Sequence, residues 1–144
     1  MQNDIKWIIR HRVLRQKLHG QLDLTTIREC MQELALFIED ALYHKQDRIV
    51  MIFDVRELDV TPDSLHPSQT AQVFENIDRR LKASNQGFIV VVTSKEQAGL
   101  LMKLLSRIFS QPMTTTEDLD EAFNILKHMY PSLRQGLDAY AGAD

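Results

Sequence analysis

The stretch IVMIFDVRELDVTPDSLHP, residues 49–67, decides the fold. Its first five residues are apolar without a break, the pattern of a strand covered on both faces, as at the centre of a parallel sheet. The run stops at Asp54, and the residues over 54–67 read as a loop that carries Asp63, Ser64 and Pro67. A strand ending in a carboxylate is where open α/β sheets gather ligands. Acidic residues also cap helices and open turns, so for Asp54 both readings stand.

Downstream, Thr70, Phe74, Ile77 and Leu81 recur at a helical interval. Residues 88–92 form a second continuously apolar run, FIVVV, β-branched at four of its five positions. Ser94 and Gln97 have the spacing of a capping box and open a helix with Leu101, Leu104, Leu105 and Ile108 on its buried side. A short extended candidate at 113–115 precedes a helix carrying Leu119, Phe123, Leu126 and Tyr130, which Pro131 ends. Residues 132–144 read as a loosely held tail after a single domain over 1–131.

Upstream, LDLTTIRECMQELALFIEDALYH (22–44) places Ile27, Met31, Leu34, Ile38 and Leu42 at helical intervals. Thr26 with Glu29 is one capping-box candidate, and Asp23 is a rival cap. Before it, Ile5, Trp7 and Ile9 alternate, and residues 13–18 are a second extended candidate. A hairpin and one long bent strand both fit, with Gly20 closing the segment. Strand and helix then alternate, and parallel strands need crossover helices. The expected architecture is a single α/β sheet with parallel central strands, about four helices, and an N-terminal strand or hairpin.

Composition narrows function. The chain has 144 residues, 44% apolar and 26% charged, close to an average globular protein. A net charge of −3 gives no global field for nucleic acid. Lys6, Arg10, Arg12, Arg15 and Lys17 form a basic N-terminal stretch around Trp7, read as the solvent side of edge strands. One cysteine, Cys30, permits neither an internal disulfide nor a cysteine metal cluster, and it falls among the apolar positions of the first helix. No run is long and apolar enough for a bilayer, and no signal-peptide pattern opens the chain, so a cytoplasmic location is expected. No glycine-rich phosphate loop or G-x-S-x-G elbow occurs. His11, His19, His44, His66 and His128 lack ligand spacing, so no metal or other cofactor is expected.

The order of elements and one loop give a resemblance. VLRQKLHGQLDLTTIRECMQELALFIED (13–40) is similar to the opening strand, glycine and first helix of STAS-like domains, the fold of bacterial anti-anti-sigma-factor proteins. IVMIFDVRELDVTPDS (49–64), GFIVVVTS (87–94) and MTTTEDLDEAFNIL (113–126) are similar to the later strands and their connections. The resemblance covers residues 13–126. It implies a non-enzymatic regulatory module that binds a protein partner, a regulatory kinase among the candidates. It also implies a serine at the start of the second helix whose phosphorylation changes that binding, by adding nearly two negative charges. Ser64 and Ser68 are the candidates, because the loop reads DSLHPS where the family has Asp-Ser-x-Gly. The expected partner-binding loop comprises Asp54, Leu58, Val60, Asp63 and Leu65, with the alternative that its apolar side chains fold into the core. Thr93 and Ser94 are polar strand-end candidates beside it. A homodimer through the edge near Trp7 is compatible with this reading.

Two other functions compete. A receiver-like domain would use Asp54 as phosphoacceptor and Thr93 as the sensing hydroxyl. The sequence gives no acidic pair after the first strand for magnesium and no lysine at the last strand's end. A small-molecule or lipid carrier would use Met102, Leu105, Met113 and Met129 as an apolar lining; those positions also suit ordinary core packing.

Overall fold

The computed structural model describes residues 1–43, 49–60, 86–109 and 111–143. The N-terminal alternatives resolve as a hairpin, in which β1 (Gln2–Ile9) pairs antiparallel with β2 (Val13–Gln21). His11 turns the corner at φ 63°, and Arg12 N–H donates to the Ile9 carbonyl at 2.9 Å. Gly20 does not close the segment. It lies within β2 at φ +99°, a backbone shape that side chains with a Cβ resist.

The sheet then grows strictly in chain order. β3 (Ile49–Asp59), β4 (Gln86–Val92) and β5 (Met113–Thr116) follow β2, all parallel, to give the order β1-β2-β3-β4-β5. When parallel strands are laid down in one direction, right-handed crossovers put every connecting helix on the same face. Accordingly α1 (Leu24–Tyr43) and α2 (Lys95–Ile108) share one core with that face of the sheet. Ile27, Met31, Leu34, Ile38, Leu101, Leu104 and Leu105 meet Met51, Phe53, Ile89 and Val91 there. After β5 the chain crosses to the opposite face. There α3 (Leu119–Met129), a 3-10 turn (Pro131–Leu133) and α4 (Arg134–Ala143) cover Val13, Val50, Ile52, Val90 and Val92. Both faces of β3 and β4 are therefore dry, as their unbroken apolar runs require.

Several expectations are corrected. The region 132–144 is no loose tail over its described part: it forms the 3-10 turn and α4. Leu133 and Leu137 are buried, each worth about 1.5–3 kcal/mol of removed apolar surface. Lys127 pairs with Asp138, and the Lys6 ammonium lies 5.4 Å over the Tyr140 ring, tying α4 to α3 and to β1. At Gly136 α4 packs close on β1: a Cβ there would meet Ile9 Cδ1 at 2.5 Å, so the isoleucine tip would have to move. Asp23, and not Thr26, caps α1. Its carboxylate accepts from Thr25 N–H at 3.0 Å and from the hydroxyls of Thr25 and Thr26. Those bonds, the Thr25 hydroxyl's first, lower its pKa from 3.8 to about 2.

The basic stretch divides: Lys6 is exposed on the edge strand β1, as read from the sequence, but the later residues are not at an edge. Arg15 and Lys17 stand on β2, between β1 and β3, and Arg15 is largely covered. Finally, β3 does not stop at Phe53; it runs on to Asp59, so the first part of the expected 54–67 loop is strand. The helix expected from Thr70 to Leu81 lies outside the described residues.

Candidate functional site

The extension of β3 rests on one irregularity. Lys17 pairs with Asp54 and His19 with Glu57, so β3 carries one more residue than β2 over this step. Val55 and Arg56 have no register partner on β2. An inserted residue reverses which face later side chains occupy. Val55 points into the α1/α2 core, and after the bulge Leu58 and Val60 do so as well, which a regular strand would forbid. The Asp59 carbonyl accepts from Leu22 N–H at 2.9 Å, locking the strand's end to the start of α1.

Asp54 holds the bulge. Its side chain is 1% exposed, on the face opposite α1. Oδ1 accepts from Arg56 N–H at 3.3 Å and from Arg56 Nε at 3.0 Å. Oδ2 accepts from Arg56 Nη2 at 2.9 Å and from Arg15 Nη2 at 3.2 Å. Burial pushes this carboxyl upward, but the bonds and charge of Arg56, joined by Arg15, outweigh it, and its pKa lies below 3.8. The same contact raises Arg56. Asp54 is therefore a charged, saturated brace, without the exposure a phosphoacceptor needs.

The expected site residues separate accordingly. Asp54 is in the sheet, and Leu58 and Val60 are in the core, so these three do not form an exposed partner loop. Their apolar members fold inward, the alternative noted from sequence. Asp63, Ser64, Leu65 and Ser68 lie outside the described residues. Thr93 and Ser94 do come together, in a cleft at the ends of β4 and β5. Thr93 N–H donates to the Thr116 carbonyl at 2.8 Å, joining the two strand ends. The cleft, about 250 Å³, is lined by Thr93, Ser94, Lys95, Thr116, Glu117 and Glu121, with Ala98 and Thr115.

Sequence reading missed Arg15 and Arg56 as partners of Asp54. The available signal was charge: Arg56 lies two residues beyond Asp54, and Arg15 falls in the preceding strand candidate. It also missed Glu117 and Glu121 as cleft walls. In the acid-rich TEDLDE, Asp118 caps α3 by accepting from Glu121 N–H at 2.7 Å. Cys30 is buried in the α1 core, and burial with nearby Glu33 and Glu29 pushes its thiol upward. No helix among the described residues is long and apolar enough to cross a membrane. Against protein-family models and curated proteins the chain finds no match.

Proposed function

We propose that this chain is a non-enzymatic, STAS-like interaction module whose contact face is the C-terminal end of the parallel strands. The observation that carries the reading is the Asp54 brace. A carboxylate gripped by two guanidinium groups holds its proton state and its position. It serves shape, keeping the bulge that turns Leu58 and Val60 inward before the chain leaves the sheet. The same brace argues against the receiver-like alternative, in which Asp54 must accept a phosphoryl group. The apolar carrier loses support because Leu105 is buried in the core, with Met102 and Met113 packed against it.

Under this reading the residues beyond Val60 present the address, and Ser64 or Ser68 is the switch. Phosphate there adds about 1.5 to 2 negative charges at the contact surface and biases a partner's bound and free states. The test is a phosphopeptide map of the protein from its own cells, with identification of what co-purifies. Phosphate on either serine, together with a partner whose affinity changes for Ser64→Glu or Ser68→Glu, is the expected result. A chain unmodified at both serines, or partners indifferent to both substitutions, removes the switch from the proposal.

A further inference from the structure

We infer that the cleft between the ends of β4 and β5 is a binding site for a free α-amino acid, taken as its zwitterion. The inference does not rest on the partner-binding reading, although the cleft opens at the same end of the sheet.

One wall of the cleft is rich in unused donors. Thr93 is 1% exposed and Thr116 6% exposed, and the hydroxyl of each has no hydrogen-bond partner in the protein. A buried hydroxyl left unpaired is costly, so two side by side in a lined cleft mark a place where something else supplies the acceptor. The 14-residue helix α2 begins at the same spot. Ser94 stands at its N-cap, yet the serine side chain makes no capping bond. Gln97 and Ala98 donate their N–H groups to the Ser94 carbonyl. The amides of Lys95 and Glu96, ahead of them, have no carbonyl within the helix to reach. Hydroxyls, free amides and the positive end of a helix dipole together suit a carboxylate.

The other wall carries the opposite charge. Glu117 and Glu121 line it, and Lys95, the basic residue in the lining, is 88% exposed and sits 4.0 Å from Glu117. An ion pair so open to solvent contributes little and gives way readily to a ligand. A bare anion would meet two carboxylates, and a bare cation would meet the helix's positive end. Among the described residues no group of carboxylates, histidines or cysteine is arranged to hold a metal ion. A ligand with a carboxylate and an ammonium on one carbon satisfies both walls at once. About 250 Å³ also accommodates such a molecule with a modest side chain.

The experiment is a titration of the full chain, followed by amide chemical shifts and by thermal melting. The common L-α-amino acids are added one at a time, beside acetate, ethylammonium and inorganic phosphate. The expected result is a saturable shift of the amides of Thr93, Ser94, Lys95 and Thr116 with at least one amino acid, and a raised melting temperature. The single-charge compounds should bind far more weakly. Thr93→Val should raise the melting temperature of the unliganded protein, by removing an unpaired hydroxyl, while weakening the amino acid about tenfold or more. Glu121→Gln, on the exposed rim, should weaken it similarly with the fold intact. The proposal is overturned if no amino acid saturates these amides, if phosphate or acetate matches the best amino acid, or if Glu121→Gln leaves its affinity unchanged.

Discussion

Arg15 and Asp54, 39 residues apart in sequence, meet across the β2–β3 pair with Nη2 3.2 Å from Oδ2. The contact joins a strand of the hairpin to the first strand laid parallel to it. Asp54→Asn removes the charge and leaves two guanidinium groups around a neutral amide. Because Arg56 is 39% exposed and regains water, this should cost less than breaking a fully buried pair, about 3–5 kcal/mol. Arg15→Met should cost less, because Arg56 still grips both carboxylate oxygens. Urea unfolding of both variants measures the two costs. An Asp54→Asn midpoint equal to the parent's would contradict the brace.

The acid limb of stability should carry a signature of Asp23. Its folded pKa is lowered from 3.8 to about 2, so the unfolded chain binds the proton more readily. Its contribution is complete above 3.8 and disappears as pH falls through about 2. Asp54, lowered in the same direction, adds to the loss on the acid side. Melting temperature recorded against pH should therefore fall through this interval. In Asp23→Ala the neutral-pH value should be lower and the acid slope shallower. A parallel curve for variant and parent would remove Asp23 as the cap.

The C-terminal helix should be part of the cooperative fold. Leu137 is fully buried against the sheet, and Leu137→Ala should cost about 2–5 kcal/mol in lost transfer and cavity terms. Hydrogen exchange of the α4 amides is the companion measurement. Protection close to that of β3 is the expected outcome, and rapid exchange would restore the loose tail read from the sequence.

Those three sites also explain what the sequence made legible. The unbroken runs at 49–53 and 88–92 declare doubly covered strands because both sheet faces are dry, and no side chain there can be polar. Helical spacing placed Ile27, Met31, Leu34 and Ile38 on the buried side of α1, where they are. The end of β3 was hidden for a specific reason. A buried aspartate looks like a strand end unless its partners are known, and one of them comes from a different strand. The bulge compounds this: with one residue inserted, alternation no longer assigns Leu58 and Val60 to a face. Helix α4 is obscured in RQGLDAYAGA by its two glycines, Gly136 and Gly142, each of which weakens a helical reading. Gly136 packs close to the Ile9 side chain, a contact that no local pattern announces.

Because the strands lie side by side in chain order, synthesis and assembly can run in the same direction. Each strand leaving the ribosome finds its neighbour already made, and none must be threaded between two earlier ones. The two faces do not mature together, however. The α1 side gains helices as elongation proceeds, whereas Val13, Val50, Ile52, Val90 and Val92 wait for residues 119–143. A nascent chain halted before that point carries a bare apolar sheet face, the kind of surface that chaperones hold and proteases clear. The last helices thus decide when the sheet's second face leaves water.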